Sequence, residues 1–225
     1  MLPQVILHNA VSADSKMDWI NPDLDLYYKL AARWKEDTTL AGSDTVLNPI
    51  GEIPQEDESA FQPLIDDPAD KRPILVVPDS GGRIRTWHYL KKKPHWKKCI
   101  ALCTDNTPPN YFDYLKERHI EWITTGTENV DFTEALEELN ARYNSQIVRV
   151  EGGGSLNGIL LRSSLVSEVS LLIHPLLIGG TGQQSFFRSK DLTDAKGVIN
   201  LKLIHLEKLQ DDIIWMIYRV VKKKK

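Results

Sequence analysis

The sequence predicts an α/β fold: a mixed, mostly parallel sheet that ends in an antiparallel C-terminal hairpin. Three observations carry that reading. Short β-branched runs alternate with helical patterns through the first two-thirds of the chain, as in sheets covered by helices on both faces. Two long β-rich runs, Leu201 to Leu209 and Ile213 to Val221, flank Gln210-Asp211-Asp212 and read as a hairpin. Before that hairpin, Ile147-Val148-Arg149-Val150 leads through Glu151 into Gly152-Gly153-Gly154, and a helix begins at Ser155. A strand, a glycine turn and a helix N-terminus make an anion site, because glycine lets backbone N–H groups approach and the helix dipole favours negative charge.

The strands and helices follow in order. Val5 to Val11 is apolar and β-branched, and it runs into the polar loop Ser12-Ala13-Asp14-Ser15-Lys16. Asn21-Pro22 predicts a helix start, with Asn21 as N-cap and Pro22 at the first helical position. Leu24, Tyr27, Tyr28, Ala31 and Trp34 recur at helical spacing and carry that helix to about Lys35. Thr38 to Gly42 is a short second strand, followed by a turn of helix over Ser43 to Leu47. Asn48 to Lys71 lacks periodicity and is rich in Pro, Asp and Glu; a loop of that length is functional or mobile. Pro73 to Pro78 is the third strand and opens into Asp79-Ser80-Gly81-Gly82-Arg83. Lys98 to Cys103 is the fourth, Pro108 to His119 a helix, and Ile120 to Thr124 the fifth strand. Asp131 to Tyr143 is the clearest helix, with Asp131 and Glu134 in a capping-box pattern and Phe132, Ala135, Leu136, Leu139 and Tyr143 on one stripe. Val166 to His174 is a strand whose ladder Pro175 breaks before Leu176-Leu177-Ile178 continues to Gly179.

Composition narrows the function. A chain of 225 residues is long enough for a real core, and a net charge of −3 argues against nucleic acid or an anionic membrane as the main partner. No apolar run approaches the ~20 residues that cross a bilayer. Met1-Leu2-Pro3-Gln4 leads straight into a strand, so no secretory signal is read and a cytoplasmic protein is expected. Cys99 and Cys103 share a strand face and read as buried reduced thiols, with no zinc ligand set. No linker is visible, so one domain is expected over 1–221, with Lys222 to Lys225 as a basic tail.

Chemistry is expected at the C-terminal ends of the parallel strands. The loops there are Ser12 to Lys16, Gly42 to Thr45, Asp79 to Arg83 and Glu151 to Gly158, with Gly179 to Gly182 added. The dinucleotide fingerprint G-x-G-x-x-G fails, since Gly152 and Gly154 fit but Asn157 stands at the third position and Gly158 is one residue late. No phosphate-binding G-x-x-x-x-G-K-[ST], zinc-protease, zinc-deaminase or G-x-S-x-G pattern occurs.

Val150 to Gly158, followed by Leu165-Val166-Ser167-Glu168-Val169 and by Pro175 to Gly180, resembles the riboflavin-pathway pyrimidine reductases, including the C-terminal reductase domain of the bifunctional deaminase-reductases. Ser12-Ala13-Asp14-Ser15-Lys16 is similar to that family's S-x-D-G-K, and Ala41 to Leu47 to its G-x-x-T-V-L. The resemblance covers essentially the whole chain. It implies a dihydrofolate-reductase-like three-layer α/β/α sandwich, commonly a homodimer, that reduces the ribose of a phosphoribosylamino-pyrimidine to a ribityl chain with NADPH. By motif, Gly152, Gly153, Gly154, Ser155 and Leu156 fall in the cofactor pyrophosphate loop, and Glu151 at the junction of substrate and nicotinamide. Gly42 and Thr45 would touch the cofactor, and Ser80 and Arg83 would read its 2′-phosphate. Two departures stand out. Ser15 replaces the family's glycine, and Asn48-Pro49-Ile50 stands where D-D-P is expected. The fused deaminase domain of some relatives is missing, so only the reductase step is expected.

Hydride transfer needs no protein nucleophile; it needs held geometry and an acid that helps open a glycosylamine ring. Asp14, Lys16 and Glu151 are the catalytic candidates, with Asp14 and Glu151 also facing substrate. Asp14 could equally cap a turn through its own backbone bonds. Arg33 could pair a substrate phosphate or be an exposed helical arginine, while Arg83 is better placed because a guanidinium suits a phosphate monoester. His8 and His174, on apolar strands, read as satisfied core histidines; Trp19 and Trp87 line a pocket or fill core. Two other readings stay open: a reductase of the same fold acting on another small heterocycle or carbonyl compound, and a nucleotide-binding protein without turnover.

Overall fold

The computed structural model describes residues 1–48, 55–65, 67–182 and 184–222. Its elements in chain order are β1 Gln4–Ser12, α1 Leu24–Ala31, β2 Thr38–Ala41, α2 Ser43–Leu47, β3 Ile74–Pro78, α3 Trp87–Lys91, β4 Lys98–Cys103, α4 Pro109–Glu117 and β5 Glu121–Thr124. They continue as α5 Phe132–Tyr143, β6 Ile147–Glu151, α6 Gly154–Arg162, β7 Val166–His174, β8 Leu201–Lys208 and β9 Ile214–Val220. Contacts group these into two units: Met1–Pro3 with Glu36–Val148, and Gln4–Lys35 with Arg149–Lys225. Each unit joins stretches far apart in sequence, so no linker marks a boundary where the sequence predicts one domain over 1–221. Residues 223–225 of the predicted basic tail lie outside the described residues, as do 49–54 of the long acidic segment.

The first unit orders its strands β5-β4-β3-β2, and then takes the start of β6. The pairs β2–β3, β3–β4 and β4–β5 are all parallel. Leu75, Val77, Cys99, Ala101 and Cys103 face one cluster with Trp87, Tyr111 and Leu115, while the alternate residues Ile74, Val76, Ile100 and Leu102 are buried too. Burial of both faces is why these strands are continuous apolar runs and not alternating ones. The two cysteines share that face, and burial pushes both thiols up to about 12, where they are unreactive.

Residues 55–62 of the acidic segment are pinned and not free. Glu56 accepts from Arg118 Nε and Nη2, each at 2.7 Å, and Lys92 Nζ donates to Asp57 at 2.8 Å. A 3-10 turn, Glu58–Phe61, buries Ala60.

In the second unit the order is β6-β1-β7-β9-β8. β1 and β7 are parallel, while β7–β9 and β9–β8 are antiparallel. The predicted terminal hairpin is therefore β8–β9, and the sheet is mixed. His8 on β1 is fully buried and fully bonded: Nε2 donates to the Tyr27 carbonyl at 3.2 Å, and Nδ1 meets Ser170 Oγ at 2.9 Å. Trp215 Nε1 donates to that same Oγ at 2.9 Å. A carbonyl only accepts, so Nε2 carries the proton and Ser170 donates to Nδ1.

Several local expectations shift. Asp23, not Asn21, caps α1: its Oδ1 accepts from Asp25 N at 3.0 Å and Leu26 N at 3.1 Å. A carboxylate two residues before the first free N–H groups outcompetes the Asn-Pro signal. The α-helix stops at Ala31, tightens into a 3-10 turn over Ala32–Trp34, and ends on Lys35 at φ 51°. His174 is half-exposed and among the described residues its Nε2 has no hydrogen-bond partner, so it is not a satisfied core histidine. β7 stops at His174, and Leu176 to Gly179 is a loop, not a continued strand. α3 carries no periodic signal; it is defined by Trp87, fully buried, whose Nε1 donates to Tyr111 Oη at 2.8 Å. Trp19 is 78% exposed and fills no core. Among the described residues no helix is long and apolar enough to cross a membrane.

Candidate functional site

In the second unit three loops meet at the C-terminal ends of β1, β6 and β7. Ser12 closes the first: its N–H donates to the Lys16 carbonyl at 2.9 Å, and its Oγ accepts from Lys16 N at 2.9 Å. Ser12 Oγ donates to Asp14 Oδ1 at 2.6 Å. Asp14 then reaches across to the loop after β7, accepting from Ile178 N at 3.1 Å and Gly179 N at 2.7 Å. These three donors hold the Asp14 carboxyl well below its usual range, at about 2, led by the Ser12 hydroxyl. Asp14 is thus an ionised clamp near neutral pH and holds no proton to give, which moves it away from the acid role that its motif suggests.

Ser15 sits at φ 63°. This left-handed conformation explains a glycine at the position, and Ser15 adopts it at a cost of roughly 1–2 kcal/mol. The loop is held there by Ser15 N donating to the Ser12 carbonyl at 2.9 Å and Phe186 N donating to that of Ser15 at 3.2 Å. Lys16 forms a β-bridge with Ser185, and Met17 N donates to the Gln184 carbonyl at 2.8 Å.

The segment 184–188 also lies over the start of α6. Arg188 N donates to the Gly154 carbonyl at 3.0 Å. A Cβ on Gly154 would stand 2.0 Å from the Ser185 carbonyl oxygen, and one on Gly158 1.7 Å from that of Arg188. Two glycines of the cluster are therefore required by chain packing. Gly153 differs: among the described residues a Cβ there would meet only Gln184 Oε1, at 3.6 Å. Gly153 is the N-cap of α6 and supplies no side-chain cap, and among the described residues no side chain takes the first-turn N–H groups of Gly154, Ser155 and Leu156. Ser155 is exposed beside them, while Gly152 and Leu156 are buried against each other. Asn157 fixes the turn from beneath, donating to Asn9 Oδ1 at 3.0 Å and the Phe186 carbonyl at 2.8 Å, while Asn9 Nδ2 donates to the Gly152 carbonyl at 3.2 Å.

Glu151 ends β6, half-buried, and accepts from Arg149 Nη1. Arg149 is itself buried, and its guanidinium lies 5.6 Å from the Tyr28 ring centroid. Two residues apart on a strand, the pair share a face. Arg149 and Asn9 also brace this turn, and Asn157 falls within the stretch that the resemblance gives to the pyrophosphate. Strand periodicity signals Arg149; nothing local signals Asn9. Arg33 is exposed and lies over the Trp34 and Trp215 rings, at 5.6 Å and 5.2 Å. No described contact brings it to Asp14 or Glu151.

The first unit holds the other predicted residues. Asp79 is buried at the end of β3, and its two oxygens accept from Arg83 N at 2.9 Å and Ile84 N at 2.8 Å. Gly82, at φ 60°, lets the turn pass against Tyr111. The Ser80 carbonyl accepts from Thr107 Oγ1 at 2.9 Å. The exposed Arg83 guanidinium donates to Ser43 Oγ at 2.7 Å and Asp44 Oδ1 at 2.9 Å. Gly42 is the N-cap of α2, and Thr45 is exposed on its first turn. Among the described residues no group of three or more His, Cys, Asp or Glu could hold a metal ion.

Known proteins share this architecture. A pyrimidine reductase-like protein from Corynebacterium diphtheriae superposes with a TM-score of 0.74 at 16% identity, covering 98% of this chain and 93% of that one. The riboflavin biosynthesis reductase Rib7 of Saccharomyces cerevisiae does so at 0.67 and 22%, covering 98% and 90%. At those identities the likeness is one of fold. In sequence, the chain is 27% identical over 220 residues to the 2,5-diamino-6-ribosylamino-4(3H)-pyrimidinone 5′-phosphate reductase of Methanothermobacter thermautotrophicus, covering 95% of this chain and 97% of that protein. The RibD C-terminal domain model matches residues 3–215, from the start of β1 into β9, and the glycine turn, the Asp14 clamp and the Glu151 pair all fall inside that match: the chain belongs to the RibD C-terminal domain family.

Proposed function

We propose that the protein is an NADPH-dependent reductase that converts the ribosyl group of 2,5-diamino-6-ribosylamino-4(3H)-pyrimidinone 5′-phosphate to a ribityl chain. The observation that carries this is the uncapped α6 N-terminus directly after Glu151, in a chain aligned nearly end to end with a reductase of that name. The residues fit a pyrophosphate. Its oxygens would take the unclaimed N–H groups of Gly154, Ser155 and Leu156, and the open side of Gly153 leaves room for them. When bound, NADPH supplies the hydride for the carbon of the opened ribose.

The chain's own groups do the rest. Glu151, its charge balanced by Arg149, presents an oxygen that orients the substrate. The Lys16 ammonium is the proton donor toward the ring oxygen, since Asp14 is held ionised. Asp14 fixes the loop 176–179. In the first unit, taken by itself, Arg83 and Ser80 lie on one loop whose guanidinium would suit a phosphate monoester. Such a phosphate would displace Asp44 from Arg83 at little cost, because an exposed ion pair contributes only about 0–1 kcal/mol.

Mixing protein, NADPH and this substrate is expected to consume reduced nicotinamide with one turnover per ribose reduced, and NADPH alone is expected to quench tryptophan fluorescence. No quenching by NADPH or NADH at millimolar levels would remove the enzyme readings. Quenching without turnover would keep the cofactor and remove this substrate.

We further propose a cytoplasmic homodimer. β8 is an edge strand with Leu201, Leu203 and Leu206 at 43%, 46% and 60% exposure, an apolar row that a second copy would cover. Light scattering is expected to give twice the chain mass of 25.6 kDa, and a monomer mass would refute the dimer.

A further inference from the structure

The first unit carries a cleft of about 520 Å³ at the N-terminal ends of β4 and β5, the opposite strand ends from the Asp79–Arg83 loop. Among the described lining residues its charge is one-sided. Glu121 is the lining carboxylate, and it is already used: Lys98 Nζ donates to it at 2.7 Å and Tyr143 Oη at 2.5 Å. Lys91, Lys116 and Arg142 also line the cleft, and among the described residues none of them has a carboxylate partner.

Lys91 is the informative one. It is buried, at 8% exposure, and its ammonium donates to three backbone carbonyls, those of Ala60 at 3.1 Å, Gln62 at 2.9 Å and Arg118 at 2.9 Å. Those carbonyls satisfy its three N–H groups, and no carboxylate among the described residues pairs with its positive charge. It therefore acts on the cleft through its field and not through a direct hydrogen bond. Lys116 and Arg142 are exposed and have donors to spare. Low-dielectric walls around such a set concentrate positive potential where an anion would sit. The walls are apolar: Leu64, Ile120 and the half-buried Trp122. A cleft of this size with an apolar wall and a few converging charges has the form of a small-molecule site.

We propose that this cleft binds an aromatic phosphate monoester, separately from the reductase site. The dianion would lie between Lys116 and Arg142 within the field of Lys91, and the ring would lie against Trp122.

The test uses phenyl phosphate as probe on the full-length protein, read by calorimetry and tryptophan fluorescence. Saturable binding is expected, with Trp122→Phe abolishing the phenyl phosphate fluorescence change. The double variant K116E/R142E reverses two exposed charges and touches no core residue. It is expected to weaken phenyl phosphate at least tenfold while leaving NADPH affinity within twofold. Absence of phenyl phosphate binding at ten-millimolar concentration, or binding that K116E/R142E leaves unchanged, would overturn the proposal. Inorganic phosphate binding as tightly as phenyl phosphate would overturn the aromatic assignment. Competition of phenyl phosphate with NADPH would place the probe in the reductase site and overturn it as well. The proposal stands or falls independently of the reductase reading, since its readouts need no turnover.

Discussion

Replacing Arg149 by Met is expected to cost about 3–5 kcal/mol, because it leaves the Glu151 carboxylate half-buried without its partner. The methionine keeps most of the apolar stem that packs near Tyr28, so the loss reports the charge and not a cavity. In a chain of this size that loss lowers the midpoint of thermal unfolding by roughly 6–20 °C. The double variant Arg149→Met/Glu151→Gln is expected to recover at least half of it, because removing both charges removes the unpaired one. A single variant within about 1 kcal/mol of the parent, or a double variant no better than the single one, would show that the pair does not neutralise Glu151. The same substitution is expected to lower turnover even where the protein remains folded, since Glu151 loses the group that orients it.

Acid is expected to destabilise the protein well before most carboxylates are protonated. His8 is buried among apolar strands, and desolvation, reinforced by the Arg149 charge, lowers its pKa from 6.5 to about 3. Between those values the unfolded chain binds a proton at His8 and the native chain does not. Stability from this group is therefore complete above pH 6.5 and falls as pH drops toward 3, by about 5 kcal/mol at most. From pH 7 to pH 4.5 the expected share is about 3 kcal/mol, measurable as a fall in the urea midpoint at constant slope. His8→Gln keeps an N–H for the Tyr27 carbonyl and does not titrate, so the gap between variant and parent should narrow as pH falls. A constant gap from pH 7 to pH 4.5 would exclude His8 as the source. Asp14 adds a separate effect lower down: its folded pKa of about 2 means its clamp is intact above about pH 4 and is lost as pH falls through 2.

Much of the fold is legible in the sequence because its signals are short-range. β-branched runs mark β1, β3, β4 and β6 to within a residue or two, and the stripe Phe132, Ala135, Leu136 and Leu139 marks α5, with Asp131 capping it as its spacing predicts. Gln210 to Asp212 marks the turn of the β8–β9 hairpin. Signals that compete at close range are less secure. Asn21-Pro22 and Asp23 both offer a helix start, and the carboxylate that reaches two N–H groups wins. α3 is legible only once Trp87 has found Tyr111.

The site divides in the same way. The sequence by itself determined the strand, glycine turn and helix at residues 147–162, the polar loop Ser12 to Lys16, and the family to which both belong. Only the tertiary structure decided what those residues touch. Asp14 is a clamp because Ile178 and Gly179, 164 and 165 positions away, bring their N–H groups to it. Gly154 and Gly158 are glycines because the backbone at Ser185 and Arg188 passes where a Cβ would be, whereas their neighbour Gly153 meets no described backbone there. The physical reason is range. Periodicity, caps and glycine turns act over a few residues and are written along the chain; which donor meets a carboxylate, and which backbone crosses a glycine, depends on strand register and loop course that no local pattern encodes.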